Sequence, residues 1–196
     1  MKEPFLYRLL RPIITFFVKI LFRPTIIGKE NILQNEKFVL AGNHTNYLDC
    51  ALLISSTRRV VHFMAKDELS KGILGTFFKS MGLIFVNRRT KDKKSLNLAI
   101  EYLNDNKVIG IFPEGTINRT KDIIMPFKFG TVKMASVTDS YIIPFAIIGK
   151  YKLFRKSIKI IFAKPYKIRN DLEKENKKLE KIISTMLIKR SNYEYI

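Results

Sequence analysis

Residues 38–49 read FVLAGNHTNYLD, and this stretch passes from a strand through a turn into a helix. Phe38–Ala41 is wholly apolar, which is typical of a strand buried on both faces. We expect a helix to begin near Leu48, so the polar residues from Asn43 onward lie where the strand ends. Strand ends are where α/β folds bind their ligands. The stretch therefore predicts an α/β fold with a site at this turn.

The same alternation continues along the rest of the chain. Apolar runs predict strands at Val60–Met64, Leu83–Val86, Val108–Phe112, Tyr141–Ile148 and Ser157–Ala163. Helices are predicted at Lys94–Asn104, at Thr131–Val137 and in the tail from Asn170, where Asn170 and Glu173 resemble a capping box. Strands that alternate with helices predict an α/β fold with a mixed sheet flanked by helices.

The N-terminal segment Met1–Arg23 is predicted to form an amphipathic helix that ends before Pro24. A narrow polar stripe runs along a wide apolar surface at helical spacing; its members are Arg8, Arg11, Thr15 and Lys19. This pattern is typical of a helix that lies in a membrane interface. The alternative is a terminal helix packed on the protein's own core. We predict a membrane-associating helix at residues 1–24 and a separate α/β domain at residues 25–196.

The charge of the chain limits the classes of partner. Thirty-six Lys and Arg residues stand against 17 acidic residues, and the net charge of +19 favours polyanions such as nucleic acid, an anionic membrane or phosphorylated substrates. Cys50 is the only cysteine, so no intramolecular disulfide can form, and two histidines are too few for a Cys- or His-rich zinc site. We expect neither a metal nor a cofactor, and a reducing, cytoplasmic setting fits.

The first polar cluster contains His44 and Asp49, five residues apart. On one regular helix this spacing would place them on different faces. They can meet if His44 lies in the turn and Asp49 in the first turn of the helix that follows. The carboxylate could then orient the imidazole as a general base. Taken alone, such a pair is more often a structural hydrogen bond.

Two more clusters follow predicted strands. In Phe112–Thr116 (FPEGT), a proline ends the strand, Gly115 allows the backbone to approach a ligand closely, and Glu114 and Thr116 offer polar groups. Arg88 follows the strand Leu83–Val86 and could bind a phosphate through two hydrogen bonds.

Together these clusters resemble four ordered motifs of the glycerolipid acyltransferase family, which includes the 1-acyl-glycerol-3-phosphate acyltransferases. The matching segments are Asn43–Asp49, Gly82–Arg88, Phe112–Thr116 and Ile143–Ala146. The resemblance extends from about Asn43 to Gly149. It departs from the family pattern at Asn46, where Ser is common, and at Ile117, where Arg is common, although Arg119 is close by.

The resemblance implies a role for each matching residue. His44 would be the general base and Asp49 the carboxylate that orients it. Arg88 would bind the phosphate of the acceptor, and Glu114 and Gly115 would position its glycerol and phosphate region.

Three more residues belong to the predicted substrate site. Thr116 would contribute its hydroxyl, and Lys66 and Lys128 resemble the positively charged positions near the family's substrate site.

The activity implied by the resemblance is transfer of a fatty acyl group to the hydroxyl of 1-acyl-glycerol-3-phosphate (lysophosphatidic acid), giving phosphatidic acid. Acyl-CoA or acyl-carrier protein would be the donor, and the protein would be peripheral on the cytoplasmic face of a phospholipid membrane. We expect no nucleic-acid partner.

Other interpretations remain open at this stage. The acceptor could instead be glycerol-3-phosphate or another lysolipid. The protein could also be a non-catalytic, basic membrane- or nucleic-acid-binding protein. A third hypothesis makes the thiol of Cys50, beside the His–Asp pair, a nucleophile.

Overall fold

The computed structural model of the chain describes residues 3–87, 92–169 and 171–189. It contains six α-helices: α1 (Phe5–Phe22), α2 (Asp49–Ser56), α3 (Gly72–Ser80), α4 (Lys93–Asn104), α5 (Gly130–Val137) and α6 (Leu172–Ile188). The seven strands are β1 (Thr25–Ile27), β2 (Phe38–Gly42), β3 (Val61–Lys66), β4 (Ile84–Val86), β5 (Val108–Ile111), β6 (Tyr141–Gly149) and β7 (Ile158–Phe162). Short 3₁₀ helices occupy Lys29–Asn31 and Asp67–Ser70.

The strands form one sheet in the order β1-β7-β6-β2-β5-β3-β4. Neighbouring strands are parallel throughout, except that β7 runs antiparallel to β6. The predicted mixed sheet flanked by helices is therefore confirmed. Because β2, β3, β4 and β5 are parallel, the segments that follow them all leave the sheet at the same edge.

Alternate residues of the central strand β2 face opposite sides of the sheet. Phe38 and Leu40 belong to a core that contains residues of α1 and α2. Val39 and Ala41 belong to a second core, with residues of α4, α5 and α6. Burial on both faces explains why this strand is uniformly apolar rather than alternating.

Most predicted elements are confirmed to within two residues. Neither β1 nor α3 was predicted from the sequence. The tail helix begins at Leu172, and its N-terminus is capped by Asp171, whose carboxylate accepts a hydrogen bond from Lys174 N at 2.9 Å. Asn170, the predicted capping residue, lies outside the described residues.

Helix α1 presents two different surfaces. Its inner surface packs on α2: Tyr7 and Val18 are buried, and the Tyr7 hydroxyl accepts a hydrogen bond from Val61 N at 3.2 Å. Part of the predicted polar stripe also faces the protein, because Arg11 Nε donates to Thr57 O at 3.0 Å and the Thr15 hydroxyl is buried.

The outer surface of α1 is apolar and exposed. Its residues recur at helical spacing: Phe5, Leu9, Ile13, Phe16, Phe17 and Ile20. One helix thus combines a contact with the core and an exposed apolar face, and the location of that face in a membrane interface stays a prediction. No helix within the described residues has the length and apolarity that crossing a membrane requires. The predicted boundary between residues 1–24 and 25–196 stays a prediction.

Candidate active site

The site forms at the sheet edge where three parallel strands end. His44 follows the end of β2, Phe112 follows the end of β5, and Lys66 is the last residue of β3. Because β5 lies between β2 and β3, these residues converge although they are far apart in sequence. The end of β2 is fixed to β6 by Asn43, whose side chain donates to Ile147 O at 2.9 Å and accepts from Ile147 N at 2.8 Å.

His44 and Asp49 form the predicted pair. The Nδ1 of His44 lies 2.9 Å from Oδ2 of Asp49, and Asp49 is the first residue of α2. An ionised carboxylate can only accept, so Nδ1 carries the proton and donates it to Asp49. Nε2 then carries the lone pair. The strand–turn–helix arrangement inferred from the five-residue spacing is thus present, and it gives the tautomer that a general base requires.

The Asp49 carboxylate is completely buried and is held from several sides. Its Oδ2 also accepts from the backbone amides of Thr45, at 2.6 Å, and Asn46, at 2.8 Å. Its Oδ1 accepts from the hydroxyl of Tyr151 at 2.7 Å. These donors restrict the carboxylate to one orientation, which in turn fixes the imidazole.

The segment 43–49 also explains one departure from the family pattern. Asn46 Oδ1 accepts a hydrogen bond from Leu48 N at 3.0 Å, which closes the turn immediately before α2. An asparagine is well suited to such a turn because its side chain can bond to the backbone two residues on.

Glu114 holds the backbone of His44 rather than facing a cavity. Its Oε1 accepts from His44 N at 3.0 Å, and its Oε2 accepts from Met125 N at 2.9 Å. Burial raises the pKa of Glu114, and these two hydrogen bonds act in the opposite direction. Glu114 lines neither cavity described below. Its predicted contact with the acceptor stays a prediction; the structure shows that it joins two loops of the site.

The imidazole of His44 stacks on the ring of Phe112, with 3.9 Å between centroids and 13° between planes. Gly115 follows closely, with a φ of +78°, in the left-handed region that favours glycine. A Cβ there would lie 2.9 Å from Lys128 Nζ. Glycine thus lets the Lys128 ammonium approach the backbone beside the His44–Phe112 stack.

Two cavities adjoin at this stack. The larger, of about 610 Å³, is lined by His44, Lys66, Thr116 and Arg119 together with apolar side chains. Its apolar wall comes from Ile14 of α1, Ala51 and Ile54 of α2, Phe77 and Phe78 of α3, and Phe63, Met81 and Leu83. The wall shared with the second cavity is formed by Met64, Phe112 and Gly115.

The second cavity, of about 460 Å³, is lined by three lysines, Lys93, Lys128 and Lys133, and by one carboxylate, Asp92, which caps the N-terminus of α4. The net charge of these four side chains is positive, and lysine ammonium groups favour bound anions. The cavity therefore has the character of a site for a phosphate group.

The structure brings together most of the predicted site residues. His44, Asp49, Gly115, Thr116, Lys66 and Lys128 all lie in or beside the two cavities. Arg88 lies outside the described residues, so its contact with phosphate stays a prediction; Asn87 lines the second cavity. Arg119 lines the larger cavity and supplies a cation near Ile117, where the family often has arginine.

Cys50 lines the larger cavity, but its chemistry does not suit a nucleophile. Burial, followed by the negative charge of Asp49, raises the pKa of Cys50 to about 12. The reactive species would be the thiolate, which is scarce at neutral pH when the pKa is so high. The thiol hypothesis is therefore disfavoured.

Sequence reasoning missed three parts of the site. Tyr151 belongs to no motif, and nothing in its local sequence marks it. The role of the Phe112 ring as a platform for His44 was not recognised, although Phe112 is in a motif. Helix α3, which supplies Phe77 and Phe78 to the cavity, was not predicted because its glycines interrupt the apolar pattern.

Comparisons with known proteins identify the family of this chain. The family model described as Acyltransferase matches residues 23–148. A 1-acyl-sn-glycerol-3-phosphate acyltransferase from Bacillus subtilis is 31% identical over 146 residues, covering 71% of this chain and 72% of its own. The enzyme of the same name from Borreliella burgdorferi is 33% identical over 136 residues, covering 68% of this chain and 54% of its own.

The fold has a solved counterpart as well. The crystal structure of the 1-acyl-sn-glycerophosphate (LPA) acyltransferase PlsC from Thermotoga maritima superposes with a TM-score of 0.73 at 21% identity, covering 91% of this chain and 78% of that one. This likeness concerns the fold alone.

The chain belongs to the acyltransferase family and is an acyltransferase enzyme. This identification favours catalysis over the interpretation as a purely binding protein. Within the described parts of the chain, no three His, Cys, Asp or Glu side chains group together as a metal site would require. The expectation that the reaction needs no cofactor stays a prediction.

Proposed function

We propose that this protein is a 1-acyl-sn-glycerol-3-phosphate O-acyltransferase, which makes phosphatidic acid from lysophosphatidic acid and an acyl thioester. The observation that carries the proposal is the position of the His44–Asp49 pair. The ring lines a deep, mostly apolar cavity and stacks on the wall that separates it from a basic one. A base placed between an apolar and a basic compartment suits a substrate with both an acyl chain and a phosphate.

The reaction follows from the tautomer of His44. Nε2 removes the proton from the acceptor hydroxyl while its oxygen attacks the thioester carbonyl carbon and forms the new C–O bond. The tetrahedral intermediate collapses, the C–S bond breaks, and the imidazolium gives its proton to the departing sulfur, so that a thiol leaves and His44 is neutral again. Asp49 stabilises this imidazolium through Nδ1. The substrate itself is the nucleophile, so no acyl-enzyme and no cofactor enter the scheme.

Charge and apolar area support the choice of substrates. The lysines of the second cavity can neutralise the acceptor's phosphate, with Arg88 as a further predicted ligand. The larger cavity offers apolar side chains to a fatty acyl chain and cations, Lys66 and Arg119, to a polar group. Both acyl-CoA and acyl-carrier protein are anionic donors that a chain of net charge +19 would attract.

The experiment is transfer of a radiolabelled acyl group from acyl-CoA to lysophosphatidate in vesicles, for the wild type and His44→Ala side by side. We expect labelled phosphatidate from the wild type. The variant should turn over about 10²–10⁴-fold more slowly because it lacks the base. Parallel reactions with glycerol-3-phosphate, with other lysolipids and with acyl-carrier protein as donor test the alternatives. Product from glycerol-3-phosphate but not from lysophosphatidate would refute the proposed acceptor.

Helix α1 would place this site at the membrane surface. Its outer face exposes large apolar residues, with Phe16 59% and Phe17 53% exposed, while Ile14 of the same helix lines the larger cavity. A lipid chain could thus pass from the bilayer to the cavity along one helix. The helix would lie in the interface, making the protein peripheral rather than membrane-spanning.

Deleting residues 1–24 would be a poor test of this docking, because Tyr7 and Val18 belong to the core. The double substitution Phe16→Asn with Phe17→Asn alters only the outer face. We expect it to lower sedimentation with anionic vesicles at least about tenfold, since burying each aromatic side chain contributes roughly 1.5–3 kcal/mol. Val137→Asn, at another exposed apolar position, is the control. Unchanged sedimentation of the double variant would mean that the protein docks elsewhere.

A further inference from the structure

Tyr151 contacts the catalytic pair from outside the motifs that define it. Its hydroxyl lies 2.7 Å from Oδ1 of Asp49, although 102 positions separate the two residues. It also lies just beyond residue 148, where the match to the family model ends. Neither the motifs nor the comparisons therefore assign it a role.

His44 and Tyr151 bond to different oxygens of the Asp49 carboxylate. His44 Nδ1 bonds to Oδ2, whereas the Tyr151 hydroxyl bonds to Oδ1. The carboxylate cannot donate, so the hydroxyl is the donor. Burial, together with the charge of Asp49, raises the pKa of Tyr151 well above its ordinary range. The phenol therefore keeps its proton and remains a donor at any pH at which the enzyme would work.

Tyr151 is itself held in place by helix α1. Its ring packs edge-on against Phe22, with centroids 5.4 Å apart and an interplanar angle of 85°. Farther along the same loop, Phe154 N donates to Leu21 O at 2.5 Å. The base of the loop is closed by Ser157, whose hydroxyl donates to Lys150 O at 2.8 Å. The Tyr151 hydroxyl is thus fixed relative to both the sheet and the end of α1.

We propose that Tyr151 is a positioning residue, whose hydroxyl holds the Asp49 carboxylate so that Oδ2 remains on Nδ1 of His44. The inference rests on the proposed function. Without the hydroxyl, Oδ1 of Asp49 keeps only the longer hydrogen bond from the Thr45 hydroxyl, at 3.2 Å, and the rotation of the carboxylate is less restricted. The carboxylate also attracts the proton of His44 more strongly, because one fewer donor shares its negative charge.

The variant Tyr151→Phe removes the hydroxyl and keeps the ring against Phe22. We expect kcat to fall about tenfold, as for loss of one hydrogen bond to a charged group, and KM for both substrates to stay within about twofold. The acid limb of the pH profile of kcat/KM should move to higher pH, because the proton on His44 is held more tightly. A general packing defect would not move that limb. Tyr141→Phe, at the opposite end of β6, is the matched control.

A double-mutant cycle with Asp49→Asn tests whether Tyr151 acts through Asp49. If it does, Tyr151→Phe should cause no further loss of kcat in the Asp49→Asn background, since the two residues act as a unit. If the double variant instead lost kcat by the product of the two single losses, the proposal would be overturned. The same holds if Tyr151→Phe kept the kcat and the pH profile of the wild type.

A measurement that needs no turnover separates this inference from the proposed function. The Nδ1–H proton of His44 should give a protected, downfield NMR signal in the wild type and exchange with water faster in Tyr151→Phe. Equal exchange in the two proteins would refute the positioning role. By contrast, a wild type with this signal but no transfer to any acceptor would refute the proposed function alone.

Discussion

The two histidines of the chain lie on the same sheet and use the same ring nitrogen in the same way. His44 follows the end of β2, and its Nδ1 lies 2.9 Å from the Asp49 carboxylate. His62 lies inside β3, and its Nδ1 lies 2.8 Å from the carbonyl oxygen of Gly82. Both acceptors place the proton on Nδ1 and the lone pair on Nε2.

His44 and His62 differ in what surrounds Nε2. The ring of His44 lines a cavity, and its side chain is 15% exposed. His62 is 1% exposed, packs edge-on against Tyr102 at 4.5 Å, and its Nε2 has no hydrogen-bond partner within the described residues. The tautomer with its lone pair on Nε2 is therefore not sufficient for a histidine to act as a general base. The histidine must also stand beyond the strand end, where a substrate can reach it.

The comparison is tested most strongly by truncating each ring. His44→Ala should lower kcat by about 10²–10⁴-fold, while the free energy of unfolding falls by about 1 kcal/mol or less, since Asp49 keeps its donors from Thr45, Asn46 and Tyr151. His62→Ala should do the opposite. It leaves a cavity in the core and should lower the free energy of unfolding by about 2–3 kcal/mol, with activity per folded molecule retained.

Urea unfolding and steady-state kinetics on the same preparations measure both quantities. Activity is normalised to the folded fraction, so that instability of the His62 variant is not mistaken for loss of catalysis. If His62→Ala lost activity as His44→Ala does, access to a cavity would not be the property that distinguishes the two histidines.

The contact between His44 and Asp49 was predicted correctly because the information is local. His44 and Asp49 lie five residues apart, and a buried strand before them with a helix after them leaves few ways to bring them together. The mixed sheet flanked by helices was predicted from the alternation of strands and helices along the chain.

The parts that the sequence did not predict depend on long-range packing. Tyr151 reaches Asp49 only because the loop after β6 folds against the end of α1. The hydrogen bonds of Glu114 to two backbone amides likewise depend on the loop that contains Met125, whereas its predicted contact with the acceptor stays a prediction. Neither arrangement leaves a periodic pattern or a motif in the local sequence.

The burial of His62 should also make the stability of the protein depend on pH, which is a smaller effect. Burial lowers the pKa of His62 in the folded protein, and the positive charge of Lys107 acts in the same direction. As pH falls below about 6.5, the ordinary value for histidine, the unfolded chain takes up a proton that the folded protein excludes. The contribution of neutral His62 to stability is therefore fully present above that pH and is lost as the pH falls.

Comparison of the wild type with His62→Asn isolates this contribution. The asparagine amide can donate to the Gly82 carbonyl in place of Nδ1, but it does not titrate. Between pH 7.5 and 5.5 the wild type should lose up to about 1.4 kcal/mol more unfolding free energy than the variant, measured by urea unfolding at both pH values. Other titrating groups cancel in this difference. If the unfolding free energies of the two proteins fell equally with pH, folded His62 would accept a proton at Nε2. The burial of Nε2 would then not distinguish His62 from His44.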